Sequence, residues 1–225
     1  MTSLSRRRFL SIAAASSALP AAAIAAQGPV AAWRGRAMGA QVSMKIAGLT
    51  QADAAPVFVA VERELLRLEK IFSLYRTESE ISRLNRDGVL ARPSHELLEL
   101  LSLSDRLHRA SGGAFDPSIQ PLWLAMAAGA GAEEIETARR AVGWQGLGFD
   151  AAEVRFERAG QGLTLNGIAQ GYVTDRIVAL LKARGLGDIL VDMGEIAALG
   201  HGPDGDDWRV GVAADDGTLV RRLRM

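Results

Sequence analysis

Hydrophobic positions recur along the chain with two periods. Around Val42, Met44 and Ile46 apolar and polar residues alternate, which predicts a strand over residues 38–46. From residue 53 to about 75 the period lengthens. Val57, Val61, Leu65, Leu66 and Leu68 form an apolar stripe with Glu62, Arg63, Glu64 and Arg67 outside it, the pattern of a long amphipathic helix. Ser94 can cap a second helix running to about residue 110, with Leu97, Leu98, Leu101 and Leu107 facing inward and Gly112-Gly113 stopping it. Residues 133–142 predict a third helix, ended by Gly143. Residues 163–165 read as a short strand. Residues 168–184 read as a helix with Val173, Ile177, Leu180 and Leu181 on one face and Gly185 beyond its end. Residues 189–191 predict a buried strand and 208–213 another, followed by an Asp216-Gly217 hairpin turn into a strand over 218–223. Strands and helices do not alternate regularly, so the expected fold class is α+β, or mixed α/β, with sheets packed against long helices rather than a barrel.

Composition narrows the function classes. The 225 residues are 48% hydrophobic and 23% charged, with 24 Gly and 7 Pro, which is a globular balance in one domain or two closely joined lobes. Basic and acidic side chains number 26 each, so there is no basic surplus for broad nucleic-acid binding. Three of the basic residues, Arg6, Arg7 and Arg8, open a segment that resembles a twin-arginine export signal: Ser5-Arg6-Arg7-Arg8-Phe9-Leu10, an Ala-rich stretch, and a small-x-small cleavage site at Ala23-Ile24-Ala25. Ser11, Ser16, Ser17 and Pro20 make that stretch too weak for a membrane span. Residues 1–26 are therefore expected to be a signal peptide, with an uncleaved anchor as the alternative. Residues 27–225 are expected to form the domain, exported to the periplasm and not stably inserted in the membrane. Without residues 1–26, which hold three arginines and no acid, 23 basic side chains face 26 acidic ones, a net charge near −3. The absence of cysteine excludes disulfides, thiolate metal sites and a cysteine nucleophile.

Three segments can carry chemistry. Tyr75, in Phe72-Ser73-Leu74-Tyr75, follows a helix and can present a flat face at a pocket mouth, although on its own it reads as a rim tyrosine. In Ser111-Gly112-Gly113-Ala114-Phe115-Asp116-Pro117, paired glycines allow close backbone approach to a ligand and the Asp116 carboxylate can accept hydrogen bonds; a helix cap with an Asx turn reads equally well. In Leu165-Asn166-Gly167-Ile168-Ala169-Gln170-Gly171-Tyr172, a strand runs into a helix start, where free amides and the helix dipole favour phosphate. This third segment is neither a P-loop nor a dinucleotide fingerprint. His95, His108 and His201 lack metal-ligand spacing and form no Ser-His-Asp arrangement; His95 and His108 read as solvent or packing residues and His201 lies in a polar loop over residues 201–207.

Taken in order, these segments resemble the ApbE family, the FAD:protein FMN transferases. The resemblance rests on Met38-Gly39; Phe72-Ser73-x-Tyr75 with Ser79-Glu80-Ile81-Ser82-Arg83-Leu84-Asn85; Gly113-Ala114-Phe115-Asp116-Pro117 with Pro121-Leu122-Trp123; Asn166 to Tyr172 with Asp175; and Met193-Gly194-Glu195-Ile196. It implies an exported, magnesium-dependent enzyme that cuts the FAD pyrophosphate, moves FMN to a threonine hydroxyl of an acceptor flavoprotein and releases AMP. Position by position, it implies that Met38 packs beside the flavin and Tyr75 stacks near its ring. Ala114, Phe115 and Asp116 would line the nucleotide pocket, Gln170 would touch the cofactor, and the Gly167 carbonyl would be one magnesium ligand. Thr164 and Gln170 are also cofactor-site positions, but many members carry Asp at the first and Lys or Glu at the second, so both replacements remove charge. Members of the family continue past the Asp216-Gly217 turn into a segment bearing further magnesium ligands and catalytic groups, which makes 27–225 an incomplete domain with little expected activity alone. The Val191-Asp192-Met193-Gly194-Glu195-Ile196 wording is similar to the branch linked to nitrous oxide respiration, whose acceptor would be a membrane flavoprotein. A non-catalytic flavin carrier and an FAD pyrophosphatase are the alternatives.

Overall fold

The structure, a computed structural model, describes residues 28–214 and 217–225. The export-type leader and Asp216 of the expected hairpin turn lie outside the described residues. In chain order the elements are β1 (Val30–Ala37), β2 (Ala40–Ala47), α1 (Gln51–Phe72), α2 (Glu80–Asp87), β3 (Val89–Ala91), α3 (His95–Ala110), α4 (Gln120–Ala128), α5 (Ala132–Ala141), β4 (Leu147–Phe149), β5 (Glu153–Phe156), α6 (Asn166–Lys182), β6 (Ile189–Asp192), β7 (Ile196–Leu199), β8 (Arg209–Ala213) and β9 (Leu219–Arg224). Every strand pairing is antiparallel, in a four-stranded sheet ordered β1-β2-β6-β7, a three-stranded sheet β3-β5-β4 and a ribbon β8-β9. The expected mixed architecture of sheets packed on long helices is what the chain adopts. Among the described residues no helix is long and apolar enough to cross a membrane.

The four-stranded sheet is covered on both faces. Val42, Met44 and Ile46 point, as their alternation predicts, into a core shared with α1 and α6. On the opposite face Leu190 packs with Trp208 and Val210, joined by Ala47, Ile196 and Ala198. Thr50 caps α1 by accepting the Asp53 N–H, and the buried stripe runs Ala54, Phe58, Val61, Leu65, Leu68 and Phe72. That spacing of three and four residues leaves Leu66 exposed, about 100° round from Leu65, so its expected inward position is corrected. In α3 the buried set is Leu97, Leu100, Leu101, Ser104 and His108, and Leu107 turns outward for the same reason.

Two further expectations change. Met38 and Gly39 do not begin a strand: they are the turn between β1 and β2, with φ of 52° and 79°. Residues 163–165 join no sheet. The Asn85 side chain takes the place of a neighbouring strand, accepting the Leu163 N–H at 2.7 Å and donating to the Leu163 carbonyl at 2.8 Å. The helices α2 and α4, and the strands β1, β3, β4, β5 and β7, were not foreseen.

Candidate functional site

The loop that leaves α1 is built by serines. Ser79 caps α2 and donates to the Ser73 carbonyl at 2.6 Å; Ser82 donates to the same carbonyl at 3.2 Å. Ser73 in turn accepts the Tyr75 N–H at 3.2 Å. Ser79 and Ser82 of the Ser79–Asn85 segment therefore shape the loop that carries Tyr75. The Tyr75 ring rests on the Met38–Gly39 turn: a Cβ on Gly39 would stand 2.3 Å from Tyr75 Cε2. The ring is still 73% exposed, while Met38, within the turn, is buried. An exposed aromatic seated on a glycine is a ready stacking platform.

The segment after α3 is held from within. Asp116 Oδ1 accepts the Ser118 N–H at 2.8 Å and the Ser118 hydroxyl at 2.6 Å, and Oδ2 faces the Trp144 N–H at 3.4 Å. Its carboxylate caps the short 3₁₀ turn Pro117–Ile119 and is turned into the framework. Ser118 accepts from the Gly143 N–H at 2.7 Å. His108 Nδ1 donates to the Phe115 carbonyl at 2.9 Å, which sets the tautomer and leaves Nε2 facing the Gln145 amide at 3.2 Å. His108 is thus the packing residue expected, with a defined task. Phe115 is half-buried and Ala114 exposed.

The third segment meets the second. The Thr164 N–H donates to the Pro117 carbonyl at 2.9 Å, and the Phe115 ring edge lies 3.6 Å from where a Gly167 Cβ would be. The helix α6 starts at Asn166 without a side-chain cap or an acid in its first turn, so its amide end remains electropositive. Gln170 lies across Gly194, whose Cβ would stand 2.6 Å from the amide carbon. The buried Thr174 hydroxyl sits between the Gln170 and Glu195 carbonyls, at 2.9 and 3.3 Å. A cleft of about 470 Å³ opens here, lined by Gly167, Gly171, Tyr172, Asp175 and Glu195 among others. Burial, followed by the Glu99 carboxylate that accepts its hydroxyl proton at 2.9 Å, pushes the Tyr172 phenol up to about 12. Burial also raises Asp192, which accepts the Gly194 N–H at 3.1 Å.

The expected site residues therefore form two groups, Met38 with Tyr75, and Ala114–Asp116 with Thr164, Gly167 and Gln170. The Asn85–Leu163 clamp and the edge contact of Phe72 with Tyr172, at 5.6 Å, tie the two together. The sequence reading missed the supports: Ser118, Trp144 and Thr174, together with Glu69. Glu69, Ser118 and Thr174 stand beside motifs and Trp144 far from any, and none has a spacing that marks it. Among the described residues no three His, Asp or Glu side chains converge as metal ligands. The Gly167 position alone does not make a magnesium site.

A model of the ApbE family matches residues 38–224. An FAD:protein FMN transferase of Treponema pallidum is 30% identical over 197 residues, covering 73% of this chain and 53% of that protein. One of Chlamydia pneumoniae is 26% identical over 172 residues, covering 72% and 55%. The chain spans about half the length of the curated relatives it matches. The apo crystal structure of Pseudomonas stutzeri flavinyl transferase ApbE superposes with a TM-score of 0.74 at 29% identity, over 88% of this chain and 66% of that one. The flavin transferase ApbE of Vibrio cholerae gives 0.74 at 23% identity over 87% of this chain and 67% of that one, a likeness of fold. With the family's ordered motifs folded into two linked groups and its model matched from Met38 to Arg224, the chain belongs to the ApbE family.

Proposed function

We propose that the protein is an FAD:protein FMN transferase that moves the FMN moiety of FAD to a threonine hydroxyl of an acceptor flavoprotein and releases AMP. The observation that carries this reading is the exposed Tyr75 ring seated on the Met38–Gly39 turn, in a chain whose curated relatives bear that name. On this reading Tyr75 stacks on the flavin and Met38 shapes the floor beneath it. Ala114 and Phe115 line the nucleotide end, with Gln170 beside them. Asp116 acts through the loop it caps, and Thr164 through its bond to Pro117.

In the reaction the threonine oxygen bonds to the FMN-side phosphorus, the bond from that phosphorus to the AMP oxygen breaks, and the threonine proton passes to a base. Such a step depends on positioning and on neutralising pyrophosphate charge, and the amide end of α6 is suited to the second task. Magnesium belongs to the proposal through the family, with Gly167 as its one contact on this chain; no step is assigned to it. The acceptor proposed is a membrane flavoprotein of nitrous oxide respiration.

The test incubates the purified protein with FAD, magnesium and an acceptor, then reads flavin fluorescence in a denaturing gel and AMP release. A fluorescent acceptor band is expected from a form extended to the full length of its relatives and little from residues 27–225 alone, and in the extended form Tyr75→Ala should lower the rate about tenfold or more through lost stacking. FMN and AMP produced without an acceptor would favour a pyrophosphatase. FAD binding with neither product would favour a carrier.

A further inference from the structure

The Met38–Gly39 turn and the Tyr75 loop come from segments more than thirty residues apart, yet one side chain reaches both. Met38 has φ 52°, a left-handed backbone that a residue with a Cβ adopts at a cost and keeps where its surroundings enforce it. Its N–H donates to Glu69 Oε1 at 2.9 Å. The other oxygen of the same carboxylate, Oε2, accepts from Arg76 Nε at 3.2 Å, and Arg76 is the residue that follows Tyr75. The Glu69 side chain is 15% exposed. It stands in the last turn of α1, where the helix dipole disfavours an anion, so helix stability does not account for an acid there.

We infer that Glu69 is the positioning residue of the Tyr75 platform, one carboxylate fixing both the turn under the ring and the loop that carries it. This rests on the flavin reading of that platform. Glu69 touches no reacting atom; it sets where Tyr75 lies over Gly39 and so the plane offered to the flavin. Arg76 also holds Glu78 at 2.9 Å, which braces the loop on its outer side.

The experiment compares the full chain with Glu69→Ala, Glu69→Gln and Arg76→Ala. It measures the FAD dissociation constant, the quenching of flavin fluorescence on binding, and hydrogen exchange at the Met38 amide without ligand. Glu69→Ala should bind FAD about tenfold more weakly, with reduced quenching and a rapidly exchanging Met38 amide, because two charge-assisted bonds are lost. Glu69→Gln keeps an acceptor for Met38 and should protect its amide, yet bind FAD about threefold more weakly because the Arg76 link loses its charge. Arg76→Ala should reduce quenching and leave the Met38 amide protected.

A folded Glu69→Ala protein with wild-type quenching, affinity and exchange overturns the assignment. Should that variant not fold, unchanged quenching in both Glu69→Gln and Arg76→Ala overturns it. A wild-type protein that binds no FAD overturns the flavin reading itself, and the platform role falls with it. Wild-type binding combined with unaffected variants removes the Glu69 role alone.

Discussion

Gly39 shows at the scale of one residue how the fold makes room for an aromatic ring. Two constraints meet there: a φ of 79°, and a Tyr75 ring 2.3 Å from any added Cβ. Gly48 shares the first, with φ 84°, and has nothing within 4 Å of an added Cβ. Replacing either by Ala should cost about 1–2 kcal/mol for the left-handed backbone, read as a shift in the urea midpoint. Only Gly39→Ala should also displace the ring, weakening FAD binding about tenfold through lost stacking. Equal FAD affinity in the two variants would mean that the seat under Tyr75 is irrelevant to the flavin. The ordered motif made Gly39 and Tyr75 visible in the sequence, but their contact was not, because it joins a hairpin turn to a helix exit. Asp116 was legible in both its roles, as a ligand-facing carboxylate and as an Asx cap. The bonds from Ser118 and Trp144 give it the second.

At the scale of elements, periodicity revealed what had enough apolar residues to show it. The α1 and α3 stripes were legible, the second with its capping residue Ser94, apart from single-position errors such as Leu66; the Thr50 cap of α1 was not read. In α2 only Ile81 and Leu84 are buried, too few to declare a period. In α4 the apolar residues run all round the helix, leaving Trp123, Leu124 and Met126 exposed, and no stripe forms. The alternation of β1 rests on Ala31 and Ala37, small residues that weigh little in a pattern. Residues 163–165 looked like a strand because Leu163 and Leu165 are apolar and bury on either side of Thr164, but Leu165 has already left the extended region (φ −103°, ψ 10°) and nothing in the chain's order points to Asn85 as the partner. The start of α6 yields a prediction of its own. Tyr172 reaches from α6 to Glu99 on α3, and its phenol ionises near 12 in place of the usual value near 10. The folded state holds this proton more tightly than the unfolded chain. Folding therefore loses stability as pH rises from about 10 to about 12, where the unfolded chain ionises first. Tyr172→Phe should lose a hydrogen bond of about 1 kcal/mol at pH 8 and show a shallower decline from pH 9 to 11. Urea midpoints at the three pH values measure both effects, and parallel declines in the two proteins would show that Tyr172 is not tightly held.

At the scale of the molecule, the site lies where two packing problems are solved side by side. The hairpin turn of the central sheet meets the exit of α1, and the loop after α3 meets the entry of α6. Phe72 with Tyr172, and Asn85 with Leu163, lock these junctions to each other. A dinucleotide has two aromatic ends, and on the proposed reading the two junctions are their separate seats. If the flavin end uses Tyr75 and the nucleotide end uses Phe115, the halves of FAD should bind in separable ways. At a hundredfold excess over its dissociation constant a ligand stabilises the fold by about 2.7 kcal/mol, which for a chain of this length raises Tm by roughly 5–10 °C. FAD should give that full rise, and FMN and AMP smaller ones at equal concentration. Tyr75→Ala should remove most of the FMN shift and spare the AMP shift; Phe115→Ala should do the reverse. Both variants should fold around the same core, since the Tyr75 ring is largely exposed and the Phe115 ring half-buried beside Gly167, so their unliganded Tm values should stay close to the wild type. Equal loss of both shifts in either variant would mean that the two junctions form one undivided pocket. The assignment of flavin to one and nucleotide to the other would then have to be abandoned.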